Sequence, residues 1–166
     1  MTDCLPLDAM LHQEHLTTLA VVNDLETRIS IGGGRPIDPA DAQDRSRLQE
    51  LIAMIERDIF RHYRFEEEVL FPRLTAAGLH PMTDMLIHEH DGVRAMADDL
   101  RALAVAALDR GFDAAGWRAF RDLAADFAAS VTFHIQKEEM GVVRQVGMVL
   151  GAEVNRELGN LYAGFA

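Results

Sequence analysis

Four long stretches of the sequence repeat apolar residues at helical spacing. The first covers about 8–30 and ends at a glycine-rich segment, 31–36, which is predicted to be a loop. The second covers about 38–72, with Asp38 as its predicted N-cap and Pro39 at its first helical position. Apolar residues three and four positions apart in each stretch indicate one buried helix face.

Two further helices follow in the second half of the chain. The third opens at His80-Pro81 and ends before Gly111, and the fourth begins near Asp113 and continues beyond Glu138. Four long helices with short connections pack most easily as an antiparallel up-down bundle. The sequence therefore predicts an all-α fold of the four-helix-bundle type.

The C-terminal residues have a less regular pattern. We expect one or two short, weaker helices there, packed on the bundle or on a partner, because the pattern is broken by Gly141, Gly147, Gly151 and Gly159. The length of the chain suits one domain with a single core. We therefore expect one domain over 1–166, with the bundle at about 8–140 and a helical tail at 141–166.

The charge, the cysteine content and the apolar segments of the chain indicate which partners and which cellular compartment are expected. Sixteen Lys and Arg against 27 Asp and Glu give a net charge of −11, which argues against nucleic acid or an anionic membrane surface as the main partner. The single cysteine, Cys4, cannot form an internal disulfide. The N-terminal residues lack a basic and apolar leader, and no apolar stretch is long enough for a membrane span. A cytoplasmic protein is expected.

A short polar motif occurs twice along the chain. Each half has a Glu-His pair, ending at His15 or His90, followed by an HxxxEE motif that begins at His62 or His134. The two histidines are 47 residues apart in the first half and 44 in the second. Such similar spacing suggests two helical hairpins that face each other across a pseudo-two-fold axis.

A helical projection at about 100° per residue separates the polar residues into two groups. One histidine in each helix shares the apolar face, and one carboxylate lies a turn after the histidine in the second and fourth helices. These inward residues are His15, His62, Glu66, His90, His134 and Glu138. The residues predicted to point away from these faces are Glu67, Glu68, His88 and Glu139.

The six inward residues together predict a metal site. A lone core histidine or HxxxE pair is more often an ordinary hydrogen-bonded group. Six unpaired polar groups, however, would cost about 1 to 3 kcal/mol each. Imidazole and carboxylate suit iron, manganese or zinc, and a carboxylate can bridge two ions. The number of donors fits two ions with open positions, which indicates a reactive centre and not a closed structural site.

This pattern resembles the hemerythrin-like, or HHE cation-binding, domains. The resemblance extends from His15 to Glu138, and the segment 66–72 is similar as well. It implies a non-haem centre of two iron ions, completed by an oxo or hydroxo bridge. By the same resemblance one iron would be bound by His15 and His62, the other by His90 and His134, and both by the bridging Glu66 and Glu138.

One departure from the family's oxygen carriers narrows the expected chemistry. Those proteins have a further histidine one turn after the position of His90, where this chain has Arg94. The chain resembles the four-histidine members, which include di-iron proteins linked to nitric oxide and to repair of iron–sulfur centres. His12 could supply an additional ligand, but its angular offset favours a position beside the site. Asp58 is predicted to accept a hydrogen bond from an imidazole.

Three functions remain open from the sequence. The first is binding or sensing of O2, NO or H2O2 at the iron site. The second is a redox enzyme in NO or peroxide detoxification or in iron–sulfur cluster repair; it would need an external electron donor, because the chain lacks dinucleotide, flavin and CxxC motifs. The third is iron storage or a structural metal module, although HxxxE differs from the ExxH motif of ferritin-like proteins.

Overall fold

All regular secondary structure in the described residues is helical. The computed structural model describes residues 5–31 and 34–166. Cys4 and the glycines at 32–33 of the predicted loop lie outside the described residues. The prediction of an all-α fold is confirmed.

Four long helices are followed by two short ones. We number them α1 Leu7–Ile31, α2 42–76, α3 His80–Arg110, α4 Ala114–Met140, α5 142–150 and α6 Ala152–Ala163. No helix within the described ranges combines the length and the apolar character needed to cross a membrane.

Helix α2 is continuous but not uniform. Its α-helical parts are Ala42–Met54, His62–Phe65 and Phe71–Ala76, and π-helical turns at Ile55–Arg61 and Glu66–Leu70 separate them. π-helical turns are rare and are frequently found at functional sites. In this chain they lie on both sides of His62.

The start of α2 differs from the prediction. Asp41, not Asp38, is the N-cap, and its carboxylate accepts hydrogen bonds from the backbone N–H groups of Gln43 and Asp44. The backbone N–H of Asp38 donates instead to the Asp44 carboxylate, over 2.9 Å. This contact holds the Asp38-Pro39 segment in a turn outside the helix.

The other helix ends follow the expected signals. Pro81 lies in the first turn of α3, where its missing N–H is tolerated. Gly111 ends α3 with a φ of 70°, a conformation that favours glycine. Asp113 caps α4 by accepting a hydrogen bond from the backbone N–H of Gly116, over 2.7 Å.

The predicted short C-terminal helices are present as α5 and α6, but only some of the glycines interrupt them. Gly151, with a φ of 85°, separates the two helices. Gly159 lies inside α6, where a Cβ atom would be 2.2 Å from the carbonyl oxygen of Leu5. This glycine therefore permits close contact between α6 and the start of the chain.

The long helices enclose two apolar clusters with a polar layer between them. Helix α1 packs against α2 and α4, α3 packs against the same two helices, and α6 packs against α1. One cluster includes Val22, Ile59, Val93 and Val131. The other includes Leu11, Phe65, Leu86 and Val142. Helices α1, α2 and α3 contribute to both clusters, whereas α4 contributes to the first and leads into α5, which contributes Val142 to the second. The predicted site residues lie near the boundary between the two clusters.

Candidate metal centre

The structure brings the six predicted site residues together in this polar layer. All six are buried, with exposed fractions between 0% and 4%. Donor atoms within 4.8 Å of one another form two overlapping groups. The first group is Glu66, His90, His134 and Glu138, and the second is His15, His62 and Glu138.

Glu66 lies between the two halves of the site. Its Oε1 is 3.3 Å from Nε2 of His62, and its Oε2 is 3.3 Å from Nε2 of His90. One carboxylate therefore faces a histidine of the first half with one oxygen and a histidine of the second half with the other.

Glu138 repeats this arrangement from the opposite side. Its Oε2 is 3.1 Å from Nε2 of His15, and its Oε1 is 2.9 Å from Nε2 of His134. The two carboxylates are thus equivalent under the pseudo-two-fold relation of the sequence motif, and both have the placement required of a bridging ligand.

Most of the atoms that point to the centre have no hydrogen-bond partner. These atoms are both carboxylate oxygens of Glu66 and of Glu138, and Nε2 of His15 and of His62. Buried polar groups without partners cost about 1 to 3 kcal/mol each. Imidazole nitrogens and carboxylate oxygens are ligands of transition metals, so cations at the centre would satisfy these atoms together. The donor set fits the metal that the sequence predicted.

The outer nitrogen of each histidine in the first half binds a different carboxylate. Nδ1 of His15 is 2.6 Å from Oε1 of Glu139, and Nδ1 of His62 is 3.0 Å from Oε2 of Glu14. An Nδ1–H that donates to a carboxylate leaves the Nε2 lone pair directed to the centre. This is the tautomer that a metal ligand requires.

The second half shows the same exchange of partners. Nδ1 of His90 is 2.7 Å from Oε1 of Glu67, and Nδ1 of His134 is 3.0 Å from Oε2 of Glu89. In both halves, the glutamate that precedes the first histidine binds the second histidine. The last glutamate of each HxxxEE motif binds a histidine of the other half.

Glu67 and Glu139 point away from the centre, as predicted. Both are nevertheless half-buried and bind imidazoles, so they do not belong to a solvated face. A helical projection gives the direction of a side chain without showing what the adjacent helix places there. His88 and Glu68 are exposed, as predicted. The repeated EH and EE pairs were the signal that could have identified the outer glutamates.

Each outer carboxylate also has a second partner. Arg94 is 2.8 Å from Glu67, and Lys137 forms an ion pair with Glu89. Tyr162 of α6 donates a hydrogen bond to Glu14. These partners hold the carboxylates against the histidines. The sequence pattern did not predict the roles of Lys137 and Tyr162.

The structure supports one of the two predictions about neighbouring residues and contradicts the other. His12 is half-exposed and lies 2.9 Å from Glu139, beside the site as expected. Asp58 is buried but binds no imidazole: it accepts hydrogen bonds from Thr18, over 2.9 Å, and from Arg57. Thr18 lies one turn after His15 on α1, and its hydroxyl, not an imidazole, donates to this carboxylate.

The charges of the cluster favour protonated histidines when only protons compete for the site. Burial alone would lower the pKa of His90, but the carboxylates of Glu138, Glu66 and Glu67 raise it to about 10. The pKa values of His15, His62 and His134 are raised for the same reason. Burial would raise the pKa of Glu138, yet the surrounding histidines hold it well below its usual value. Metal binding must therefore displace protons.

A small cavity adjoins the centre. Its volume is about 10 Å³, close to the smallest space that holds a water molecule. It is lined by His15, Thr18, Asp58, Ile59, His62, Tyr63, Val131, Ile135 and Glu138. The Tyr63 hydroxyl is buried and has no hydrogen-bond partner, and the Tyr63 ring stacks on His90 with 3.7 Å between centroids.

A larger groove, of about 690 Å³, lies at the connection between α1 and α2. Three of its charged residues are already paired, since Arg28 binds Asp44 over 2.7 Å and Arg47 binds the same carboxylate over 3.1 Å. The small cavity at the histidines has the unpartnered donors, so the chemistry is expected there and not in the groove.

Comparison with known proteins agrees with this geometry. No curated protein matches the chain. The family model described as "Hemerythrin HHE cation binding domain" matches residues 7–146, a span that includes all six residues of the cluster. The chain belongs to the hemerythrin HHE cation-binding domain family.

Proposed function

We propose that the chain holds two iron ions and binds a small diatomic or peroxide ligand, O2, NO or H2O2, at this centre. The observation that carries the proposal is the pair of carboxylates, Glu66 and Glu138, each facing one imidazole from each half. His15 and His62 would hold one ion, and His90 and His134 the other. Bound iron would supply a Lewis-acidic and redox-active centre for such ligands.

The size of the cavity supports a small ligand. A volume of about 10 Å³ accommodates a molecule of about the size of water and excludes an organic substrate from this space. Apolar lining by Ile59, Val131 and Ile135 limits the access of bulk water. Tyr63 lies at the same cavity, and its unpartnered hydroxyl is suited to donate a hydrogen bond to a bound ligand.

The residue at position 94 supports a four-histidine site and not that of a reversible oxygen carrier. Arg94 occupies the position expected for a further histidine, and its guanidinium binds Glu67. Arg94 therefore holds the Glu67 carboxylate that binds Nδ1 of His90. It supplies no metal ligand, since a guanidinium has no acceptor atom.

We also propose that the four long helices form one antiparallel bundle in a single domain. The order of the two apolar clusters supports this arrangement. Along α1 and α3 the cluster of Leu11 and Leu86 comes first, whereas along α2 it comes last, and α4 leads into it through Val142 of α5. Successive helices thus cross the polar layer in opposite directions. The cytoplasmic location is also a proposal, because it is inferred from the single cysteine and the fold does not test it.

The test is metal analysis of protein purified without oxygen, followed by absorption spectra with O2, peroxide and NO. About two irons per chain and a new absorption band with one of these ligands are the expected results. A spectrum that returns when the gas is removed indicates binding or sensing. Steady consumption of the ligand with an external reductant indicates the redox enzyme instead. A chain that folds fully with less than one iron, and whose spectrum no ligand changes, would contradict the proposal.

A further inference from the structure

The C-terminal helix α6 reaches the metal site through a single side chain. Tyr162, fully buried on α6, donates a hydrogen bond to Glu14 and lies 3.2 Å from Nδ1 of His62. The matched family span ends at residue 146, so this contact comes from outside it. The second partners of the other outer carboxylates, Arg94, Lys137 and His12, belong to α3, α4 and α1.

We propose that Tyr162 couples the docking of α6 to metal binding at His62. The inference rests on the metal centre of the proposed function but not on its gaseous ligand. Tyr162 acts as a positioning residue, because it touches Glu14 and His62 and does not reach the Nε2 atom that faces the centre.

The geometry gives the direction of this coupling. Glu14 accepts hydrogen bonds from Tyr162 and from Nδ1–H of His62 at the same oxygen, Oε2. The Tyr162 hydroxyl thereby orients the Glu14 carboxylate, and this carboxylate orients the His62 ring. Nε2 of His62 consequently remains directed at Glu66. Undocking of α6 removes one of these donors and frees Glu14 to turn to solvent together with Arg61, whose guanidinium already binds its other oxygen, Oε1, over 3.5 Å. A docked α6 therefore favours metal at His62.

Thermodynamic linkage requires the converse effect. If a docked helix raises the affinity for metal, bound metal must stabilise the docked helix by the same factor. The contacts of α6 make this change measurable. Helix α6 is held by the hydrogen bond from the backbone N–H of Asp8 to the Asn155 side chain, over 3.2 Å, and by the close contact of Gly159 with Leu5. Metal binding at the site would thus change the stability of docked α6, which can be measured in that helix.

The alternative to exclude is that Tyr162 only packs in the core and does not influence metal binding. Its ring packs 4.7 Å from the Phe65 ring and under the Arg61 guanidinium, 4.3 Å away, so it could serve as core packing alone. Replacement by phenylalanine separates the two roles, because Tyr162→Phe keeps the ring and removes only the hydroxyl. Leu161→Ala is the matched control, since Leu161 is exposed on the same helix.

The experiment is amide hydrogen exchange of residues 152–163 with and without Fe(II) under anaerobic conditions, together with Fe(II) titration. In the unmodified chain, Fe(II) is expected to slow exchange in α6 more than in the first turns of α4, which lie far from the site. In Tyr162→Phe this extra protection should disappear, and the affinity for Fe(II) should fall about tenfold, the lower end of the usual effect of removing such an outer partner. Leu161→Ala should behave as the unmodified chain does.

Two results would overturn the inference. One is equal protection of α6 and of the start of α4 on adding Fe(II) to the unmodified chain, a measurement that needs no variant. The other is unchanged Fe(II) affinity and unchanged protection in a folded Tyr162→Phe chain. A chain that binds iron and NO without protecting α6 refutes the coupling alone, whereas protection of α6 without any gas binding refutes only the proposed ligand.

Discussion

Glu14 directly precedes His15 in the sequence, yet its carboxylate binds His62, with Oε2 3.0 Å from Nδ1. The same displacement occurs in the second half, where Glu89 directly precedes His90 and binds His134. Each Glu-His pair thus serves two histidines: it supplies one and orients the other. The two helices of each half are joined at the site by these contacts as well as by apolar packing.

Removal of a bridging carboxylate should empty the site. Glu66→Gln is close in size, but its amide cannot provide two anionic oxygens between His62 and His90. We expect iron to fall from about two to less than one per chain, measured by elemental analysis of folded protein. His88→Ala is the control, because His88 is exposed on the same helix as His90. Full iron content in the Glu66 variant would contradict the bridging role.

Loss of an outer carboxylate should weaken metal binding without abolishing it. Glu139→Gln keeps a hydrogen-bond acceptor for His15 but removes the negative charge. The affinity for Fe(II) is expected to fall about tenfold, as for other residues that orient metal-binding histidines. Glu68→Gln is the matched control, since Glu68 is exposed and lies 3.9 Å from Arg64. Equal affinities in the two variants would leave Glu139 without a role in the site.

The hydroxyl of Tyr63 should affect the bound ligand and not the metal. Tyr63→Phe retains the ring that stacks on His90. Loss of a hydrogen bond worth about 1 kcal/mol would make NO or azide dissociate about fivefold faster, while iron content stays the same. Stopped-flow measurement of ligand release tests this expectation. A change in iron content with an unchanged release rate would place Tyr63 among the residues that hold the metal.

The metal-free chain should lose stability as the pH rises. The pKa of His90 is raised to about 10 by the surrounding carboxylates, above the usual histidine value of 6.5. The stabilisation from its proton is therefore complete below pH 6.5 and is lost as the pH rises through about 10. Urea unfolding of metal-free protein over this range should show decreasing midpoints. Iron-loaded protein should not show this decrease, because metal replaces the proton.

A separate acid sensitivity is expected at the connection of α1 and α2. The hydrogen bond and charge of Arg28 lower the pKa of Asp44 from 3.8 to about 2. A lowered pKa gives stability that is present above pH 3.8 and is lost as the pH falls towards about 2. Asp44→Asn should remove this part of the acid transition, as followed by circular dichroism. Asp24→Asn, which affects an exposed carboxylate near Arg47, should preserve it.

The six central residues could be predicted from the sequence because local information determines them. Each lies on an apolar helix face, and helical periodicity alone separates His90 from His88. The outer partners depend on tertiary contacts instead. Which imidazole Glu139 binds is decided by the adjacent helix, and Tyr162 contacts Glu14 across 148 residues of chain. No periodic pattern contains that information.

The start of α2 shows the same limit on a smaller scale. Asp38 and Asp41 are both suitable N-caps, and Asp38-Pro39 is the stronger local signal. The buried Asp44 decides between them, because its carboxylate accepts from the Asp38 N–H and binds Arg28 of α1. A tertiary ion pair thus overrides a local helix-start signal.

The π-helical turns of α2 determine where its residue count matters most. A π turn holds more residues than an α turn. The segment Ile55–Arg61 therefore helps to set the direction in which the side chains after it point. Loss of one residue within Ile55–Arg61 can be taken up locally, because the widened turn returns to an ordinary α turn and Glu66 keeps its direction. The same loss within the uniform α-helix Ala42–Met54 would rotate the residues on its two sides relative to each other by about 100°. A one-residue deletion should therefore be tolerated better in the π-helical segment than in the α-helical segment before it.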